Sequence, residues 1–334
     1  MNPLPTSSTI TKSIAVLGLL LVLSGCTRMK VKLGMKVYLD KTPITSVAVS
    51  QQKGPGIVPG EKSALIVTVT QPDGKVLQTE GAGHGKVMWK DLTVTATIVT
   101  ADQKGNVSLP RDPRISDGKV PHVTITVPSH PELHADLDIP VHYDENYVAN
   151  FSGPRGANGM SGMDGQDGSS GSMGSTDPNN PSAGGDGGDG TNGSDGGDGG
   201  PGGNAPPVQV QVTLRVGTHP LLQAAVSAAG HRKLYLIDPQ GGKLTVRADG
   251  GSGGSGGKGG RGGRGGSGGV GSPGGNSGHD GSDGRNGFDG SAGKGGSITV
   301  TYDPQAKPYL GLIHLSNLGG PAPVFNEAAV GPLW

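Results

Sequence analysis

The sequence predicts an all-β protein whose strands alternate with glycine-rich tracts of strictly regular spacing. Two observations support this class. Short runs in which Val and Thr alternate recur in both halves of the chain, a spacing typical of half-buried strands. Glycine contributes 65 of 334 residues, more than twice the share of about 7% in globular proteins, so much of the chain cannot form an ordinary side-chain core.

The N-terminus has the features of a secretory signal. Lys12 precedes the apolar run at 14–23, which is too short to span a bilayer core of about 30 Å but is typical of a signal peptide. The run ends in Leu23, Ser24, Gly25 and Cys26, and these residues resemble the lipobox of bacterial lipoproteins. The alternative is a buried apolar helix with a structural cysteine.

The lipobox resemblance implies a processing pathway and a location. Residues 1–25 are then a signal peptide, and Cys26 is the lipidation site that makes the membrane a partner. Cys26 is the only cysteine, so it has no partner for an intrachain disulfide. Thr27, in place of an aspartate, implies sorting to the bacterial outer membrane.

Residues 26–150 are predicted to form an immunoglobulin-like β-sandwich. Turn sequences separate the alternating runs, as in antiparallel sandwiches. The segments TPITSVAVS and PGEKSALIVTVTQPDGK resemble bacterial immunoglobulin-like domains of surface proteins. The predicted strands are 29–39, 44–50, 63–70, 86–89, 92–99, 122–127 and 133–143.

Glycine then recurs at every third position in four tracts. We name them tract 1 (153–174), tract 2 (184–203), tract 3 (250–271) and tract 4 (275–296). Breaks that contain proline separate tract 1 from tract 2 and tract 3 from tract 4, so we predict two antiparallel hairpins, at 151–205 and 250–296. A second β unit flanks the later hairpin, its first part at 206–249 and its last part, with the tail, at 297–334; its predicted strands are 208–216, 233–238, 243–249, 297–303 and 309–316.

A period of three predicts a helix with three residues per turn, in which an all-glycine face lets another backbone approach closely. The tracts resemble the glycine-rich lobe of the Obg GTPase N-terminal domain, snow flea antifreeze protein and some phage tail-fibre adhesins, which implies a bundle of polyglycine-II helices. Two alternatives remain. One is a collagen-like triple helix, disfavoured because proline is sparse in the tracts, and the other is a disordered linker.

The side chains of tracts 2 and 3 form charged columns. Triplets of the type Gly-Gly-X leave two bare faces and suit inner helices, whereas Gly-X-Y triplets in tracts 1 and 4 suit outer ones. Tract 2 carries the acidic column, Asp186, Asp189, Asp195 and Asp198, and tract 3 carries the basic column, Lys258, Arg261 and Arg264. We expect the columns to face each other or to be solvated. The acidic column is also the candidate metal site, for calcium.

Enzyme motifs are present only in unsuitable contexts. The two GGSGG matches in tract 3 fit a nucleophile elbow, but that motif needs a strand, a strained turn and a helix. A row of histidines and carboxylates between His130 and His142 shares one strand face, which permits a zinc site or an ordinary polar face. We therefore expect no enzyme and no cofactor.

The expected function is that of a non-enzymatic, lipid-anchored envelope protein with a structural or adhesive role. Its possible partners are an envelope polysaccharide or protein. A nucleic-acid partner is not expected, because 27 basic residues balance 27 acidic ones. The alternative is a ligand-binding module whose glycine bundle presents an ordered surface to polysaccharide, calcium or ice.

Overall fold

The computed structural model describes residues 27–217 and 219–334. The predicted signal peptide and Cys26 lie outside the described residues. Strands make up 31% of the structure and helices 9%, in several sheets, so the β-rich class predicted from the sequence is confirmed. The chain divides into two compact units between Tyr143 and Asp144. The sequence places the end of the first domain at residue 150, whereas the strand at 146–150 pairs within the second unit.

The first unit contains two sheets and several short helical segments. Its strands are β1 (Ser46–Gln51), β2 (Lys62–Thr70), β3 (Val76–Gln78), β4 (Thr93–Thr97), β5 (Thr100–Ala101), β6 (Asn106–Ser108), β7 (His122–Val127) and β8 (His130–Asp138). Its α-helices are α1 (Thr27–Lys32) and α2 (Pro113–Ser116), and its 3-10 helices are Leu39–Lys41, Gly81–Gly83 and Trp89–Asp91.

The two sheets of the first unit enclose one apolar core. One sheet has the order β1-β2-β6-β5, with β3 also paired to β2, and the other has the order β4-β7-β8. Every second residue of β2 and β7 is buried, and Val67 and Ile125 belong to the same core cluster. Burial of these alternating side chains is the main term that stabilises such a unit.

Two predicted strands of the first unit are wrong. The segment 29–39 begins inside helix α1 and continues as a turn, since Leu, Met and Lys favour helix and its first part packs little, with Leu33 60% exposed. Only its end, at Val37 and Leu39, reaches the core. The segment 86–89 makes only isolated bridges through Val87 and then enters the 3-10 helix at Trp89. The Trp89 indole donates to the Glu80 carbonyl, which fixes that turn.

The second unit also contains two sheets that share a core. Its strands are β9 (Asn146–Asn150), β10 (Val208–Arg215), β11 (Leu221–Ala228), β12 (His231–Ile237), β13 (Lys243–Arg247), β14 (Ile298–Tyr302), β15 (Ile313–Ser316) and β16 (Val324–Glu327). The sheets have the orders β12-β11-β10-β14-β16 and β15-β13-β9. A 3-10 helix, Pro304–Leu312, replaces the first part of the strand predicted at 309–316.

Each glycine tract continues a strand of the second unit. Strand β9 leads into tract 1 and β13 into tract 3, while tracts 2 and 4 lead into β10 and β14. Strands β9 and β13 pair in parallel, as do β10 and β14. The pairing persists beyond the sheet, because Phe151 donates to Arg247 and Gly153 to Asp249, at 2.8 and 2.9 Å. The sheets therefore set the register in which the tracts meet.

Candidate functional site

The four tracts form one hydrogen-bonded assembly, which we call the glycine bundle (153–174, 184–203, 250–271 and 275–296). Every third backbone N–H of tract 1 from Gly156 onward donates to tract 3, from the Gly156 to Ser252 bond at 2.9 Å through to the Gly174 to Val270 bond at 2.7 Å. Corresponding series join tract 2 to tracts 1 and 4, and tract 3 to tracts 2 and 4. Backbone groups of neighbouring tracts thus pair at every third position along the whole length of the bundle.

The pattern of hydrogen bonds distinguishes inner from outer tracts. Tracts 2 and 3 each bond to the other three tracts, whereas the bonds of tracts 1 and 4 go to tracts 2 and 3. The tracts with three neighbours are those in which Gly-Gly-X triplets predominate, because three close neighbours leave little space for more than one side chain per turn. The exceptions in tract 2, Thr191 and Ser194, are small, and their hydroxyls accept N–H groups of tract 1.

Glycine is required at the contacting columns by the closeness of the backbones. In tract 3, the column that includes Gly257 is buried, the column that includes Gly262 is partly buried, and the column that includes Ser255 is exposed. A Cβ atom on Gly257 would overlap the Met160 carbonyl, and one on Gly262 would overlap the Gly281 carbonyl. Since these obstacles are backbone atoms, no rotamer change relieves them.

Carboxylates and amides of one tract accept backbone N–H groups of the next. Tract 2 accepts from tract 4, tract 4 from tract 3, and tract 1 from tract 3, at 2.6–3.1 Å. The acceptors are Asp186, Asp189, Asn192, Asp195 and Asp198 in tract 2, with Asn204 directly after it, Asp280, Asp283, Asn286 and Asp289 in tract 4, and Asn158, Asp164 and Asp167 in tract 1. These side-chain oxygens accept the backbone N–H groups that do not donate to a carbonyl of a neighbouring tract. The sequence signal for them is Asp or Asn at every third position.

The candidate metal ligands belong to this series. In the acidic column, Asp186, Asp189, Asp195 and Asp198 each accept one N–H of tract 4, from Asn276, His279, Arg285 and Phe288 at 2.6–2.7 Å. The backbone N–H of His279, followed by its ring, lowers the pKa of Asp189, which keeps this carboxylate ionised. Throughout the described part of the chain, no three His, Cys, Asp or Glu side chains converge as a metal site would require.

The basic column lies on a different part of the bundle surface from the acidic column. The backbone N–H groups of Arg261 and Arg264 donate to Asp164 and Asp167 of tract 1, at 2.8 and 2.7 Å. The carboxylates of the acidic column accept from tract 4 instead. The two columns border different tracts and their side chains are exposed, so of the two expectations the structure agrees with solvated columns and not with columns that face each other within one molecule.

An apolar patch lies beside the acidic column. Met160 and Met163 of tract 1 are 84% and 80% exposed, and Phe288 of tract 4 is 80% exposed. Their carbonyls accept from neighbouring residues of tract 2, namely Gly197, Ser194 and Gly199. The three side chains are thus at similar heights along the bundle, on either side of tract 2.

The histidine and carboxylate row in the first unit is only partly continuous. His122 of β7, which the sequence reasoning missed, contacts Asp138 at 2.8 Å and Asp136 at 3.2 Å. The Asp138 carboxylate, helped by Asp136, raises the pKa of His122. Strand β8 ends at Asp138, so His142 leaves the row and its backbone N–H donates to the Ile57 carbonyl. The sequence alone does not give the register between β7 and β8, and that register places His122 opposite Asp138.

The GGSGG motifs have no catalytic surroundings. Ser252 and Ser255 lie in the exposed column of extended tract 3, and their carbonyls accept from Gly156 and Gly159 of tract 1. A nucleophile elbow needs a strained turn into a helix, and tract 3 is extended on both sides of these serines.

Comparisons with known proteins yielded no relatives. No family model matches the sequence, and no significant match was found among curated proteins or solved structures. Among residues 27–217 and 219–334, no helix has the length and apolarity needed to cross a membrane.

Proposed function

We propose that the protein is a non-enzymatic component of the bacterial cell envelope, attached to the outer membrane by a lipid on Cys26, with a structural or adhesive role. The lipobox-like sequence at residues 23–26 supports the anchor. An N-terminal diacylglycerol with a further acyl chain buries many CH2 groups at about 0.8 kcal/mol each, so attachment of this kind is effectively permanent.

The glycine bundle is proposed to be a rod of four polyglycine-II helices. The observation that carries this proposal is the unbroken series of N–H···O bonds, in which a residue of each tract bonds to its neighbour at every third position. With about 3.1 Å per residue, 22 residues extend roughly 65–70 Å. Such a rod has a rigid backbone and leaves one or two side-chain columns per helix free for contacts, which suits a spacer or an adhesive surface.

The first unit is proposed to be an immunoglobulin-like sandwich. Its two sheets share one core, and β2 and β7 bury every second side chain. This arrangement fits a compact module that precedes the rod, as in the surface proteins that the sequence resembles.

The alternative function is a ligand-binding module whose bundle surface takes up polysaccharide, calcium or ice. Calcium has the weakest support, because one oxygen of each carboxylate in the acidic column is engaged by a backbone N–H, and seven-coordinate sites need convergent oxygens. Ice binding has little support in the bundle, since Thr191 is the sole threonine in the four tracts and its hydroxyl accepts from Gln166.

The anchor is tested by Cys26→Ala. Expressed in cells fed labelled palmitate, the variant should lose acyl label and leave the membrane fraction, whereas a Ser24→Ala control should keep both. Continued labelling of the variant would refute the lipoprotein assignment. Protease treatment of intact cells, combined with chemical cross-linking, then reports surface exposure and identifies a partner.

A further inference from the structure

We propose that the N-terminal segment, residues 27–36, is a membrane-contacting surface that binds the head groups of anionic phospholipids. The inference rests on the proposed lipid at Cys26, which brings this segment to the bilayer. It adds to that anchor a second contact, made by cationic and apolar side chains of the protein itself.

The segment is folded on itself and not into a sheet. Helix α1 covers Thr27–Lys32, and the backbone N–H groups of residues 33–36 donate to carbonyls of residues 29–31 at 2.9–3.3 Å. Gly34, with a φ of +68°, adopts the left-handed conformation that ends a helix. Val37 is the first described residue whose N–H donates outside the segment, to the Lys86 carbonyl at 3.0 Å. The segment thus keeps its surface free of strand pairing.

The apolar side chains of the segment are concentrated and exposed. Met29, Leu33 and Met35 are 38%, 60% and 57% exposed. Met29 and Leu33 are four residues apart, a spacing that places side chains on one face of a helical turn. Within the described part of the first unit, no other stretch of seven residues exposes three large apolar side chains. Such a cluster is typical of a contact surface, whereas apolar residues exposed singly are not.

Cations are interleaved with these apolar side chains. Lys30 is half-buried, Lys32 is exposed, and Arg28 adds a third positive charge, while the chain has no acidic residue before Asp40. Helix α1 begins directly after Cys26 in the sequence, and at 1.5 Å per residue all three cations lie within about 10 Å of its start along the axis. That distance is about one Debye length at 0.1 M salt, so the charges act on the surface to which Cys26 is attached.

The elements beside the segment leave its positive charge uncancelled. Val37 bridges Val87, so residues 80–91 are the stretch that borders it. In this border, Lys36 lies 2.9 Å from a Glu80 carboxylate oxygen, and Asp91 accepts the Leu39 N–H at 3.4 Å. Over residues 27–41 and 80–91 there are seven cations against three carboxylates, namely Arg28, Lys30, Lys32, Lys36, Lys41, Lys86 and Lys90 against Asp40, Glu80 and Asp91. The charge therefore selects an anionic partner.

A bilayer fits this surface better than a soluble acidic protein does. An acidic protein matches the charge alone, whereas an anionic bilayer offers phosphate groups and, just beneath them, an apolar layer that takes up Leu33 and Met35. The aliphatic stems of Lys30 and Lys32 can lie along the same layer while their charges stay at the head groups. The contact holds the start of the first unit at the membrane, where a lipid alone leaves it free to swing.

The test is flotation of residues 27–334, which carry no lipid, with phospholipid vesicles. Both apolar cores lie within these residues, and circular dichroism checks that each sample is folded. At about 0.01 M salt, where the Debye length is about 30 Å, the chain should float with vesicles of phosphatidylcholine and phosphatidylglycerol. Binding to phosphatidylcholine alone should be about tenfold weaker or less, because each cation contributes about fivefold on an anionic surface.

Matched variants separate the segment from the rest of the chain. Arg28→Gln with Lys30→Gln and Lys32→Gln should weaken binding to the anionic vesicles about tenfold or more. The control, Lys75→Gln with Lys104→Gln and Lys119→Gln, removes the same charge from exposed positions of the first unit and should bind as the wild type does. Leu33→Ser with Met35→Ser should weaken binding several-fold, and should do so even where salt screens the charges.

The outcomes distinguish the segment from the anchor. Absence of binding to anionic vesicles, equal losses in the cation variant and its control, or equally tight binding to soluble polyglutamate would overturn the proposal. Absence of binding by a chain whose Cys26 does take acyl label in cells overturns the membrane contact and leaves the anchor. Vesicle binding by a chain whose Cys26 takes no label supports the contact and refutes the anchor.

Discussion

The sheets of the second unit and the glycine bundle share strand register but are stabilised by opposite means. In the sheets, Leu244 and Val246 of β13 are fully buried, so side chains fill the space between layers. Only a few residues later, tract 3 has no side chain on two of its three columns, and backbones touch directly. The change occurs at Asp249, whose carboxylate accepts from the Ser316 hydroxyl and the Leu318 N–H at 2.6 and 2.8 Å. Apolar burial therefore stabilises the sheets up to Asp249, and backbone hydrogen bonds stabilise the tract that follows it.

The largest effect should come from deletion of one residue in a tract. Removal of Ser255 moves every later residue of tract 3 to the next column, so Lys258 and Arg261 would enter the column that is now buried. Since neither charge has a partner or space there, we expect the hairpin of tracts 3 and 4 to lose its protease resistance while the first unit keeps its own. Deletion of the triplet 255–257, which preserves the columns, is the control. Equal proteolysis of both deletions would contradict the bundle.

In the sheets, removal of a side chain should be the damaging change. Leu244→Ala takes a fully buried side chain out of the core beneath β13 and should lower the free energy of unfolding by about 2–5 kcal/mol. Denaturant titration followed by β-sheet circular dichroism measures this. A loss below about 0.5 kcal/mol would mean that β13 does not pack as described.

In the bundle, addition of a side chain should be the damaging change. Gly262→Val places a Cβ on the Gly281 carbonyl and should cost about 1–3 kcal/mol or more. Ser255→Val adds the same side chain to the exposed column of the same tract and should cost little, because its surroundings are solvent. Melting temperature and protease resistance compare the pair. Equal, negligible effects would require the tracts to be redrawn as flexible linkers.

The smallest effect should be a dependence of bundle stability on acid. The backbone N–H of His279 lowers the pKa of Asp189, so its folded value lies below the unfolded value of about 3.9. A lowered pKa means that the stabilisation is complete above about pH 4 and is lost as pH falls through the folded value. The melting temperature of the bundle should stay flat from pH 7 to about 4 and then decline. Asp189→Asn should make that decline shallower, and an identical decline would exclude this carboxylate.

The sequence indicated which residues of a tract share a column more completely than it indicated the strands, for a physical reason. A strict period of three fixes which residues of a tract share a column, so the tract limits and inner tracts could be inferred before any contact was known. Strand β7 was predicted at its observed bounds because its side chains alternate. Strand β11 was missed because nearly all of its residues are buried, which removes the alternation.

The candidate site was predictable as a list of residues but not as a set of contacts. The acidic column was identified by its spacing, yet its role as acceptor for tract 4 depends on which tract lies beside it. That neighbour is set by the parallel pairing of β10 and β14, which joins segments about 90 residues apart. His122 likewise meets Asp138 only through the register of β7 and β8.

Amide hydrogen exchange of the full chain tests the central claim, that backbone hydrogen bonds hold the tracts together. The account predicts slow exchange for glycines that donate between tracts, among them Gly257, Gly260 and Gly263, comparable to the amides of β10. The amides of Thr176, Asp177, Asn179 and Asn180, at the turn between tracts 1 and 2, should exchange much faster. Exchange of the tract glycines at the rate of an unstructured peptide, while the sheets remain protected, would contradict the account.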